Sequence, residues 1–174
     1  MERDFGHHIP LNGIRGGDRI DLVADEAERL KVAQRLGLPT LKQLQAHATL
    51  SRDGERVRVL GRLRAILEQS CIATGERVPE HVDEPFEILF VPEPRPAGAD
   101  EEIELGNEDC DMVFYDGLAI DLGTAVADTL ALVIDPYPRS GDAELALRDA
   151  GVLTEMQAGP FAALAKLKKG GDES

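Results

Sequence analysis

Apolar and polar residues alternate along four segments in the first half of the chain, at residues 19–23, 44–50, 56–67 and 78–91. A period of two places successive side chains on opposite faces, so each segment is predicted to form a strand. Turn-forming residues at 52–54 and 74–76 separate the last three segments. The pattern therefore predicts a β-meander. Pro85 should mark a strand start or a bulge, because proline cannot donate a ladder hydrogen bond.

A helical period replaces the alternation in other segments. Residues 25–36 are predicted to form a helix with an apolar stripe on one face. Asp25 and Glu28 form a capping box at its start. Residues 122–134 are apolar on nearly all sides, so we expect this helix to be buried at the centre of the fold. Shorter helical patterns follow at residues 143–150 and 160–169.

These elements predict an α+β fold, in which an antiparallel sheet of four to six strands is packed by the apolar helix, with smaller C-terminal helices around it. Closure of the sheet into a barrel is left open. Residues 1–169 are predicted to form a single domain, since the chain length fits one domain. Residues 93–111 are predicted to be a mobile acidic loop within it, and residues 170–174 a frayed tail.

The formal net charge of −14 changes which partners we expect. An acidic surface argues against general binding of nucleic acid, which requires a broadly basic surface. It allows a local basic face, and it suits a protein that shields a basic partner such as a ribosomal protein. Acidity that serves only solubility is the alternative explanation.

Neither a signal-peptide pattern nor an apolar run near the ~18 residues of a membrane span is found in the sequence. We therefore expect a cytoplasmic protein without a membrane partner, in which Cys71 and Cys110 are reduced. A disulfide between them is an alternative that their spacing does not favour.

A row of arginines on the strand at residues 56–67 is the strongest local signal for binding. The row consists of Arg56, Arg58, Arg62 and Arg64. Their even numbering puts them on one face, and arginine forks suit phosphate groups. The sequence therefore offers an RNA-binding hypothesis for this face. The structural alternative is a solvated ladder of ion pairs with Glu84 and Glu87 on the next strand.

The predicted acidic loop offers a second binding hypothesis. Its residues Asp100, Glu101, Glu102 and Glu104 could contact a basic protein. The loop lacks the ligand spacing of a calcium loop, so no metal is predicted there.

No constellation of candidate residues predicts catalysis or a cofactor. The serines lie in no nucleophile motif, and a Gly-rich phosphate loop before a helix is absent from the sequence. Zinc bound by Cys71 and Cys110 is disfavoured, because structural zinc sites usually contain close cysteine pairs. We expect a protein that is not an enzyme, and that holds neither a metal nor a cofactor.

Several sequence pieces occur in the order and spacing of one known family. They are L-G-R-L-R-A-I-L-E-Q-S-C at residues 60–71, an F-x-x-x-F at 86–90, an aspartate-glycine turn with I-D-L at 116–122, an apolar run before P-x-P at 130–138, and P-F-A-A-L-A-K-L-K at 160–168. Together they resemble the family of the large ribosomal RNA subunit accumulation protein, YceD. Many relatives resemble a form with C-x-x-C after the long strand and further cysteines near the P-x-P. Here Thr74 stands in the second cysteine position, and Arg139-Ser140 follows Pro138.

The resemblance implies a role in accumulation, processing or stability of the large-subunit (23S) ribosomal RNA. Its expected partners are this RNA or a pre-ribosomal particle, and the alternative partner is a basic ribosomal protein. The resemblance supplies no functional residues, so the arginine row and the acidic loop stand as hypotheses from the residues themselves.

Overall fold

The computed structural model describes residues 5–93 and 111–151, which fall into two compact units. The first unit comprises Met1–Gln69 and Pro79–Pro136, and the second comprises Ser70–Val78 and Tyr137–Ser174. Whether the chain is one domain, as the sequence predicts, stays a prediction. Three predicted segments lie outside the described residues. They are the acidic loop apart from its end residues 93 and 111, the helical pattern at 160–169 and the tail at 170–174.

Strands dominate the described part of the chain. They are β1 (His8–Pro10), β2 (Asp18–Val23), β3 (Thr40–Asp53), β4 (Arg56–Ser70), β5 (Arg77–Pro92), β6 (Asp111–Tyr115) and β7 (Ala119–Asp121). The helices are α1 (Glu26–Leu36), α2 (Leu122–Val133) and α3 (Ala143–Asp149). None of these described helices combines the length and the apolarity that crossing a membrane requires.

Five strands form an open sheet in the order β2-β3-β4-β5-β6, and β1 pairs with β7 in a separate two-stranded sheet. The sheet is mostly antiparallel and does not close into a barrel within the described residues, which confirms the predicted α+β class. One pair departs from the expected meander, because β6 runs parallel to β5 with Ile88 opposite Asp111.

The core lies on one face of the long strands. Alternate residues of β3 and β4 are buried, including Leu44, Leu50, Val57 and Leu63. Helix α2 belongs to the same apolar cluster, and its buried residues include Leu122, Val126 and Leu130. The prediction of a central apolar helix is confirmed. The opposite face of the long strands, here called the outer face, carries mostly polar side chains.

The sequence predicts a strand start or a bulge at Pro85, and the strand start is wrong because β5 runs from Arg77 to Pro92. The strand order explains why proline is tolerated. Strand β6 pairs only with Ile88–Pro92 of β5, so at Pro85 that side of β5 has no partner strand among the described residues. Proline is tolerated in a strand where it meets such an unpaired edge.

Side-chain caps fix the beginnings of both longer helices. Asp25 and Glu28 form the predicted capping box before α1. Asp121 caps α2 by accepting hydrogen bonds from Thr124, and it also accepts the backbone N–H of His7. Burial acts to raise the pKa of Asp121, but these hydrogen bonds outweigh it and lower the pKa. The cap thus connects the start of α2 to His7, the residue before β1.

Candidate nucleic-acid interface

The four predicted arginines lie together on the outer face of β4. They are Arg56, Arg58, Arg62 and Arg64. They alternate with Val57, Val59 and Leu63, whose side chains are completely buried. The four arginines therefore share one face of the strand, as the alternation predicts.

Strand register extends this basic row into a charged row across the sheet. Asp21 of β2 lies opposite His47 of β3, which lies opposite Arg62 of β4. Asp21 Oδ1 and His47 Nδ1 are 2.6 Å apart. Arg62 in turn contacts Asp83 of β5. Acidic side chains on β2 and β5 thus flank basic side chains on β3 and β4.

The arginines of β4 make ion pairs with carboxylates of β5. Arg58 Nη1 lies 2.9 Å from Glu87 Oε1. The Nε atoms of Arg62 and Arg64 both point to Oδ1 of Asp83, and the Arg64 distance is 3.3 Å. The hydrogen bond from Arg62, with a further contribution from Arg64, holds the pKa of the Asp83 carboxyl below its usual value of 3.8.

These pairs match the predicted ion-pair ladder in part. Glu87 takes the expected position, but Asp83 replaces Glu84 as the second acidic partner. The period of two explains the exchange, because Asp83 and Glu87 share one side of β5 and Glu84 has the opposite parity. Arg56 makes no ion pair with any residue in the described ranges. Whether the four arginines contact RNA stays a prediction.

The pairs leave the arginines accessible. The side chains of Arg62, Arg64 and Asp83 are each about half exposed, at 51, 48 and 50 %. Water and salt screen ion pairs at this exposure, so they add little stability and exchange partners readily. A phosphate oxygen could replace a carboxylate oxygen here without unfolding the sheet.

The residues of the second binding hypothesis are not part of the described structure. Asp100, Glu101, Glu102 and Glu104 all fall between residues 93 and 111. Their proposed contact with a basic protein stays a prediction.

A hydroxyl–thiol cluster in the second unit was not foreseen. Cys71 is buried, and its sulfur accepts a hydrogen bond from Ser140 Oγ at 3.5 Å. Thr74 Oγ1 lies 3.2 Å from Ser140 Oγ. The side-chain hydrogen bonds of Ser140 and then Thr74 lower the pKa of Cys71 to about 6, although burial opposes them.

Two positions of this cluster carried a signal in the sequence. Thr74 and Ser140 are the places where the chain departs from the cysteine-containing pattern that it resembles. The structure brings both beside the remaining cysteine. Among the residues that the structure describes, no group of three or more His, Cys, Asp and Glu side chains is placed to hold a metal ion.

A groove of about 1040 Å³ in the first unit was also not predicted. Its apolar walls include Phe90 and Phe114, and its rim holds both basic and acidic groups, such as Lys31 and Asp128. Arg35 Nη1 and Asp128 Oδ1 are 2.6 Å apart at this rim. Because basic and acidic groups both line the groove, its charge favours neither an anionic nor a cationic ligand. The arginine row of the outer face, in contrast, favours an anion.

Comparison with known protein families gives a match over more than half of the chain. Residues 59–168 match the model of a protein family described as "Large ribosomal RNA subunit accumulation protein YceD". The matched residues include most of β4, with Arg62 and Arg64, and extend over β5, β6 and α2. No curated protein and no solved structure matches the chain.

Proposed function

The chain belongs to the YceD family, and from this premise we propose that it is a non-enzymatic factor that supports accumulation of large-subunit (23S) ribosomal RNA by binding that RNA directly. The family description gives the coarse role, in ribosome biogenesis. Direct RNA contact, the absence of catalysis and a cytoplasmic location are our proposals. The main support for direct RNA contact is the accessible arginine row on the outer face of β4.

The local charge of this region supports the proposal. From residue 41 to residue 77 the sequence has seven Lys and Arg side chains against four Asp and Glu, within a chain of net charge −14. A basic region on an acidic body restricts contact with a polyanion to one face, since the rest of the molecule repels it. Such a surface would hold RNA in one orientation.

The side chains of the outer face favour contact with the RNA backbone. Arginine forks bind phosphate oxygens in pairs. Strands β2, β3 and β4, as described, present no Phe, Tyr or Trp on this face, so the stacking platform typical of single-strand readers is missing there. We therefore propose contact through phosphates, with little dependence on base sequence.

Replacement of Arg56, Arg58, Arg62 and Arg64 by Gln tests this function. We expect the variant to bind labelled fragments of large-subunit rRNA more weakly. The slope of log Kobs against log salt concentration should fall by about one for each arginine that contacts a phosphate. Filter binding or fluorescence anisotropy over a salt series measures both quantities.

A matched control removes the same charge elsewhere. The variant with Gln at Arg15, Arg29, Lys31 and Arg35 loses four positive charges away from β4. It should keep nearly all of the affinity and the salt slope, and a thermal melt should show that both variants are folded. Equal binding by the β4 variant and the wild type would contradict the proposal. So would absence of the tagged protein from every pre-ribosomal particle in a gradient.

A second candidate function follows from the overall acidity. The net charge of −14, together with the carboxylates already paired with Arg58, Arg62 and Arg64, favours an acidic module that chaperones a basic partner such as a ribosomal protein. In that case the chain supports RNA accumulation indirectly. Binding to basic protein would then depend on Asp100, Glu101, Glu102 and Glu104.

A further inference from the structure

Two guanidinium groups converge on a single oxygen atom of the outer face. Oδ1 of Asp83 accepts from Nε of Arg62 and from Nε of Arg64, and Arg62 Nη2 also reaches the Asp83 carbonyl oxygen at 3.3 Å. Two arginine forks around one anionic oxygen form the arrangement by which proteins bind a phosphate. Here an aspartate of the same chain supplies the anionic oxygen.

The carboxylate is held at the surface rather than locked in the core. Asp83 is half exposed, and residues 83–85 of β5 are all exposed. Displacement of Asp83 therefore moves a side chain into water without opening a cavity. An incoming phosphate would meet two preoriented guanidinium groups, and the cost is the loss of one screened ion pair for each arginine.

We propose that Arg62 and Arg64 form a phosphodiester-binding subsite, and that Asp83 occupies this subsite as an internal competitor in the RNA-free protein. The inference rests on the proposed function, which it deepens by naming the ligand group and the residue that limits its affinity. Asp83 discriminates against weak or isolated anions, because only a backbone that makes several contacts at once displaces it.

A second pair on the same strands supports this arrangement. Arg58 and Glu87 repeat the pairing of a β4 arginine with a β5 carboxylate. Arg62 lies four positions after Arg58 in the sequence, which corresponds to roughly 13 Å along the strand. The outer face thus offers two separate positions at which a polyanion can replace a carboxylate, as binding of more than one phosphate of the same backbone requires.

The test compares Asp83→Asn with Glu84→Gln. Both variants lose one negative charge from adjacent residues, but Glu84 makes no ion pair within the described residues. We expect the affinity for a large-subunit rRNA fragment to be about threefold higher in Asp83→Asn than in Glu84→Gln. In an Arg62→Gln/Arg64→Gln background this difference should vanish. Asp83→Ser is a second variant that removes the same carboxylate, and a thermal melt checks that it is folded.

Titration with inorganic phosphate separates this inference from the proposed function. NMR signals of the Arg62 and Arg64 Nε–Hε groups should shift on addition of phosphate in Asp83→Asn, and less in Glu84→Gln. If phosphate shifts these signals but no variant binds rRNA, the subsite stands and the proposed function falls. If wild-type protein binds rRNA but Asp83→Asn and Glu84→Gln behave alike in both experiments, the competitor role of Asp83 is overturned.

Discussion

At the scale of single residues, hydrogen bonds from distant positions decide the chemistry of Cys71. Cys71 is buried, and burial alone would keep its thiol protonated. Ser140 and Thr74 reverse this preference and lower the pKa to about 6, from an ordinary value of 9.0. A lowered pKa means that the folded state favours the thiolate. Its contribution to stability is present above pH 9 and is lost as pH falls through about 6.

Alkylation of Cys71 should therefore follow an unusual pH profile. In a Cys110→Ser background, we expect the rate of reaction with iodoacetamide to rise with a midpoint near pH 6. Ser140→Ala should move the midpoint upward, because the thiolate loses the hydrogen bond with the largest effect. A midpoint that is the same in Ser140→Ala, or the same in unfolded protein, would disprove this assignment.

At the scale of elements, close packing of β5 against β4 depends on Gly61. A Cβ atom at this position would lie 2.4 Å from Phe86 Cζ and 2.6 Å from the His47 carbonyl oxygen. Alternation predicted that Phe86 points to one side of its strand and that Gly61 shares parity with Val59 and Leu63. It could not show that the ring lies over the glycine, because strand register depends on contacts between distant segments.

Gly61→Ala should destabilise the fold through overpacking. We expect a loss of about 1–3 kcal/mol in the free energy of unfolding, since one of the two contacting groups is rigid backbone. Urea denaturation followed by circular dichroism measures the change. Gly16→Ala is the control, because a Cβ at Gly16 meets no atom within 4 Å. Similar urea midpoints for the two variants would show that the space above Gly61 adapts easily.

At the scale of the whole molecule, local patterns predicted most elements and few of their long-range pairings. Alternation identified β2 to β5, and helical periodicity with caps identified α1 and α2. The pairing of β1 with β7 and the parallel position of β6 escaped prediction, because both join segments that are far apart in sequence. For the candidate site, parity placed the arginines correctly. Parity within β5 also favours Asp83 over Glu84, because Asp83 and Glu87 lie on the face opposite to the buried Phe86, Ile88 and Phe90.

The charge of the whole molecule also separates the two candidate functions. Replacement of Asp100, Glu101 and Glu102 by Asn or Gln, together with Glu104→Gln, removes four negative charges. If the outer face binds RNA, affinity for rRNA should stay equal or rise slightly, because repulsion decreases. If the acidic residues hold a basic protein, binding to ribosomal proteins should fall sharply. Pull-down with purified large-subunit proteins and RNA anisotropy decide between these outcomes.

The parallel pairing of β5 and β6 constrains how that acidic tract can be edited. Ile88 lies opposite Asp111 and Pro92 opposite Tyr115, so the chain must travel back by roughly 13 Å between the two strands. Connections of this crossover kind need a dozen or more residues. The connection between β5 and β6 therefore has a minimum length, and a deletion that leaves fewer than about a dozen residues would detach β6 from β5.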